Sequence, residues 1–137
     1  MKTLITCIVL FLTLSISAQQ DEAELTKEVI SYYNDIIDST PDLEVTKAGI
    51  KKAEKLRAMK ENKVKVSYVL AVMYTIYATE YTKEDTGTTG FKHKGTATAE
   101  EIKTARSKAI EYYQYYIDNA KVKDDTYREA QSQILRL

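Results

Sequence analysis

The only histidine of the chain, His93, stands in Phe91-Lys92-His93-Lys94, and an imidazole held between two ammonium groups is a poor starting point for catalysis. The flanking cations oppose its protonation and repel a metal ion, and there is no second histidine to complete a transition-metal site. The only cysteine, Cys7, lies in an apolar segment at the beginning of the sequence, far from His93. Any serine or threonine nucleophile would have His93 alone as its base, and neither H-E-x-x-H nor Glu-x-x-His occurs on a helical segment. Gly90 to Gly95 has the spacing of a phosphate loop, yet Thr96 and Ala97 stand where the lysine and hydroxyl residue belong, and no strand precedes it. Carboxylates are plentiful, but no spacing singles out an acid and base pair. The reactive groups therefore predict a protein that is not an enzyme and needs neither cofactor nor metal.

Tyrosine is the side chain that remains. The chain has 11 tyrosines, no tryptophan and 2 phenylalanines, so the phenol ring supplies most of its large apolar surface together with a polar tip. Neighbours such as Tyr32-Tyr33, Tyr112-Tyr113 and Tyr115-Tyr116 diverge by roughly 100 degrees on a helix, so some of them must sit at the rim of a core. Tyr115, off the apolar stripe, is the first candidate for contact with a partner, joined by Tyr112, Tyr81, Phe91 and His93.

Charge is divided into blocks. From Lys47 to Lys65 eight basic residues face Glu54 and Glu61, a local +6, and from Asp21 to Glu44 eight acidic residues face Lys27, a local −7. On consecutive antiparallel helices such blocks compensate one another as a solvated face. The alternative, an anion-binding or membrane-surface helix with Lys47, Lys51 and Lys55 in one row, would want a stronger apolar face with large anchors. The formal net charge is +0, so no global field draws the chain to nucleic acid.

The elements that position these residues read as helices. Leu25, Val29, Tyr32, Tyr33, Ile36 and Ile37 recur at steps of three and four, predicting a helix from about Asp21 to Asp38. Thr40 as cap and Pro41 in the first turn predict a second helix to about Glu61, with Asn62 as stop and a face of Val45, Ala48, Gly49, Ala53 and Leu56. Residues 64 to 77 alternate as a strand would and also fit a helix; an apolar segment of this length with no second strand to pair with predicts a buried helix, about Val64 to Tyr81. Thr98 and Glu101 form a capping box for a fourth helix with Ile102, Ala105, Ala109, Tyr112, Tyr113, Tyr116 and Ile117 inward. A last helix starts near Asp124 and uses Tyr127, Ala130 and Ile134. The loop from Lys83 to Ala97 holds three of the four glycines together with Phe91 and His93, and its length asks for a functional reason or disorder.

Residues 1–18 have the form of a signal peptide: Lys2, the apolar run Leu4 to Leu14, then Ser15, Ser17 and Ala18, with cleavage expected after Ala18 or Ser17. The run is short for a membrane span, so no stable membrane insertion is expected after cleavage. Thr6 before Cys7 does not fit a lipoprotein box, and Asn34, Asn62 and Asn119 lack glycosylation context. A bacterial periplasmic or secreted protein is expected, with 19–137 as one cysteine-free all-α domain held by an apolar core.

The chain echoes itself at an offset of 80 residues: Ile30, Tyr32, Tyr33, Ile37 and Asp38 recur as Ile110, Tyr112, Tyr113, Ile117 and Asp118. In both places the pattern closes one helix shortly before another begins. Val29, Tyr33, Ile36 and Pro41, and again Ala109, Tyr113, Tyr116 and Lys121, follow the spacings of a tetratricopeptide second helix, the latter without its proline. Ser67, Leu70, Ala71 and Tyr74 match the first helix in part, with Ser67 for the aromatic and Ala71 for the glycine. The chain thus resembles tetratricopeptide-type helical hairpins. The resemblance implies about five helices in antiparallel hairpins, a short solenoid or bundle, presenting a surface to a protein or peptide without catalysis. A small-ligand carrier with a tyrosine-lined pocket between the third and fourth helices is the competing expectation.

Overall fold

In the computed structural model of the chain, the described residues are 2–39, 41–59, 63–82 and 95–137, the side chains of 2–18 and 20 excepted. All regular structure among them is helical, in five helices. The first, α1, runs without a break over Lys2–Ser39, rather than starting near Asp21. The junction residues Ser15 to Gln20 include neither proline nor glycine, so nothing in the backbone stops the helix there.

Helix α2, Leu43–Ala58, begins later than expected: Asp42 is its N-cap and Pro41 lies outside it. The Thr40 cap and the Asn62 stop lie outside the described residues. The buried stripe of α2 is Leu43, Thr46, Gly49, Ile50, Ala53 and Leu56, so the face is rotated from the one expected, and Val45 is exposed. Two contacts join α1 and α2 along this seam. A side chain at Gly49 would place its Cβ 3.0 Å from Tyr32 Cβ, so the missing side chain lets α1 and α2 approach closely. On the same seam the Lys52 ammonium meets the Glu28 carboxylate at 2.7 Å, one ion pair joining the acidic and basic blocks.

Helix α3, Lys63–Glu80, settles the ambiguous segment in favour of a helix. It buries Val66, Leu70, Met73 and Tyr77 together with Ser67, Ala71 and Ala78, two stripes rather than one. That double burial follows from its central place, packed chiefly on α4 and also on α2 and α1. A helix apolar on more than one side loses its single-face periodicity, which is why the strand pattern fits as well.

Helix α4, Ala99–Asn119, opens with the expected capping box: Glu101 N–H donates to Thr98 Oγ1 at 3.2 Å and Thr98 N–H donates to Glu101 Oε2 at 2.8 Å. Helix α5, Asp125–Arg136, is capped by Asp124, which accepts from Tyr127 N–H at 3.0 Å, and packs on α4. The chain enters α4 through Gly95, whose φ of +85° suits glycine, with Leu43 Cβ 3.0 Å from where a side chain would begin. Ala97 N–H then donates to the Tyr81 carbonyl at 2.9 Å and ties the start of α4 to the end of α3.

Candidate functional site

The tyrosines brace the interior more than they dress the surface. Two of the five residues expected to meet a partner are core residues. Tyr81 is fully buried, its hydroxyl partnered inside the protein, and Tyr112 is 6% exposed, its ring packed between Tyr74 and Arg57. Tyr81 donates to the Pro41 carbonyl and therefore accepts from the Thr46 hydroxyl at 2.7 Å. Phe91 and His93 lie outside the described residues. Tyr115 is half-buried, its ring 4.6 Å from the Arg57 guanidinium carbon.

Arg57 belongs to a network that links α2, α3 and α4. Its guanidinium also lies 5.0 Å from the Tyr112 ring, which stacks on Tyr74 with centroids 5.8 Å apart. Its Nε–H donates to Ser67 Oγ at 2.8 Å, and the Ser67 hydroxyl donates to the Lys63 carbonyl at 2.7 Å. Tyr74 donates to Glu54 Oε1 at 2.7 Å, while Tyr112 reaches the same oxygen only at 3.5 Å, a much weaker contact. Burial first, and then the Glu54 carboxylate, push the Tyr74 phenol well above its ordinary value. Phenols held protonated in this way are neither nucleophiles nor bases near neutral pH; they stack and donate.

Two hollows open beside this network. The smaller, about 350 Å³, lies between α3 and the first turns of α4, with Tyr74, Tyr77, Glu101, Thr104 and Ala105 in its wall. Of its two carboxylates Glu100 is exposed and Glu101 is committed: Thr98 N–H, and with it the Lys47 ammonium at 3.0 Å, holds the Glu101 carboxyl down to about 2. A group so firmly ionised cannot serve as a general acid near neutrality.

The larger is a cleft of about 550 Å³, bounded by the start of α3, the end of α4 and the connection to α5. Val64, Tyr116, Ala120 and Val122 make its apolar part, and Lys63, Lys65 and Lys121 stand around it. Tyr116 is 9% exposed and packs against Tyr68, whereas Val122 is 66% exposed, a large apolar residue left facing solvent at the rim. Lys63, Lys65 and Lys121 form no ion pair among the described residues, whereas Lys47, Lys52 and Lys108 each do. The chemistry available is that of binding: an apolar floor with cations on long side chains at its edge.

None of these cleft residues stands out in the sequence as a contact. The one signal that could find them is a repeated tripeptide: Lys63-Val64-Lys65 recurs as Lys121-Val122-Lys123, and the fold brings the two together. Among the described residues no cluster of three or more His, Cys, Asp or Glu could hold a metal ion, and no helix is long and apolar enough to cross a membrane. Comparison with protein-family models, with curated protein sequences and with solved structures gives no match.

Proposed function

We propose that the chain is an exported, non-catalytic helical scaffold that takes a protein or peptide partner, with its helices in tetratricopeptide-like hairpins. Export to the bacterial periplasm or the medium rests on the leader-like residues 1–18. The observation that carries the binding reading is the cleft at the α3, α4 and α5 corner, with its lysines outside any ion pair among the described residues and its exposed Val122. Folding gains little from a valine left 66% exposed, whereas a partner's side chain laid against it removes that surface from water. We therefore put the binding surface at this corner, with the buried tyrosines as its support. Tyr116 joins the two, since it packs on Tyr68 and also floors the cleft.

A second reading, a carrier for a small ligand, draws on the hollow that Tyr74 and Tyr77 line between α3 and α4. The two readings separate by photocrosslinking. A benzophenone side chain is installed in the exported chain at Val122, at Thr104 beside the smaller hollow, or at exposed Lys51 on α2. A discrete protein adduct is expected from position 122 and none from position 51. Adducts of equal yield at 51 and 122, or a small-molecule adduct at 104 alone, contradict the scaffold reading.

A further inference from the structure

The geometry points to the chemistry of the partner: we infer that the cleft takes an acidic peptide segment in which carboxylates alternate with large aliphatic side chains. This rests on the reading of the cleft as the partner site and names what fits there. Charge is the first reason. Lys63, Lys65 and Lys121 line the cleft outside any ion pair among the described residues, and the one carboxylate among the described lining residues, Asp124, already accepts the Tyr127 N–H as the cap of α5. Among the described lining residues three cations and one committed anion leave a positive excess, on a chain whose formal net charge is +0. Two of those lysines occupy the first turn of α3, which holds no acidic residue. The helix dipole opposes cations there, so folding does not account for their placement, whereas a bound carboxylate relieves it.

The apolar half of the cleft is the second reason. Val64 and Val122, each beside lysines in its Lys-Val-Lys triplet, offer aliphatic surface next to charge, and a ligand that satisfies both must itself carry aliphatic and anionic groups close together. A nucleic acid is a worse fit. Bases need exposed ring faces to stack on, and Tyr116, the only aromatic among the described lining residues, is 9% exposed. A membrane surface is also a worse fit, because it calls for protruding anchors and these groups line a concavity.

The test is fluorescence anisotropy with the full-length chain and a fluorescein-labelled peptide of alternating glutamate and leucine. One control peptide replaces glutamate by lysine and another replaces leucine by serine. The triple variant Lys63→Glu, Lys65→Glu, Lys121→Glu is expected to lose affinity by about tenfold or more, equivalent to about 1.4 kcal/mol. Its helix content by circular dichroism should not fall, since none of the three side chains is buried, glutamate suits the start of α3, and Lys121 lies outside α4, beyond its cap Ala120. Val122→Asp should weaken binding comparably, both control peptides should bind more weakly than the parent, and added salt should weaken the parent's binding. The inference is overturned if the triple variant binds as the parent chain does, or if an oligonucleotide, inorganic phosphate or anionic phospholipid vesicles compete as well as the peptide. A protein adduct at Val122 without peptide binding overturns this inference and leaves the scaffold reading standing; absence of both removes the two together.

Discussion

Between pH 10 and pH 12 the protein is expected to unfold in one steep step, with helix content and phenolate absorbance changing together. Burial raises eight phenols, those of Tyr33, Tyr68, Tyr74, Tyr77, Tyr81, Tyr112, Tyr113 and Tyr116, above 10.0, and Tyr68 reaches about 12. In the unfolded chain the same groups lose their protons near pH 10. Below that value both states hold the proton and the stabilisation is complete; above it the unfolded chain binds fewer protons, so stability falls as pH rises through the folded values. Each fully shifted tyrosine contributes a limiting slope of about 1.4 kcal/mol per pH unit. Partly exposed rings contribute less, and a few of the buried ones suffice against a total of about 5–15 kcal/mol. The ammonium groups of Lys47, Lys52 and Lys108, raised chiefly by their hydrogen bonds to Glu101, Glu28 and Glu111, add to the same loss when they finally discharge. A gradual phenolate titration centred near pH 10 with helix content retained would show that the rings are not buried between helices.

Truncating Tyr81 should be severely damaging, and the damage should fall on folding, not on partner binding. The ring is fully buried, edge-on to Tyr77 at 6.2 Å, and its groups tie three parts of the chain. The hydroxyl donates to Pro41 ahead of α2 and accepts from Thr46 within α2, while the carbonyl accepts from Ala97 ahead of α4. Tyr81→Ala leaves a large cavity and is expected to cost about 3–5 kcal/mol. Tyr81→Phe keeps the ring but strands the Thr46 hydroxyl, which is 0% exposed, and takes its donor from the Pro41 carbonyl, at about 1–3 kcal/mol. Adding Thr46→Val to Tyr81→Phe should recover part of that loss, because one stranded donor is then gone. Urea midpoints measure all three, and an unchanged midpoint for Tyr81→Phe would contradict the buried network.

What can be read from the residues, and what cannot, divides along chain distance. The Thr98 and Glu101 box, the start of α5 near Asp124 and the inward tyrosines of α4 depend on neighbours within a turn or two, and they stand where spacing places them. The face of α2 departs from its spacing because Thr46 is buried by a partner 35 positions away, the Tyr81 hydroxyl, so a polar residue sits inward while Val45 faces out. Tyr112 stands inward as its spacing has it, but the groups it meets there, Arg57 over its ring and Glu54 near its hydroxyl, belong to α2 and cannot be inferred from the sequence of α4. The basic block from Lys47 to Lys65 reads as one solvated face, but the fold divides it. Lys47 and Lys52 enter ion pairs, whereas Lys63 and Lys65 turn to the cleft to meet Lys121. A site assembled from two distant triplets leaves only their repetition as a trace in the sequence.

Backbone amide shift mapping during titration with the glutamate and leucine peptide tests the central claim most directly, because it reports where on the molecule a ligand sits. Shifts should concentrate at Lys63 to Lys65, Tyr116 and Asn119 to Val122 and should saturate together. Shifts concentrated instead at Tyr74, Tyr77 and Thr104, with the Lys-Val-Lys triplets unmoved, would contradict the account.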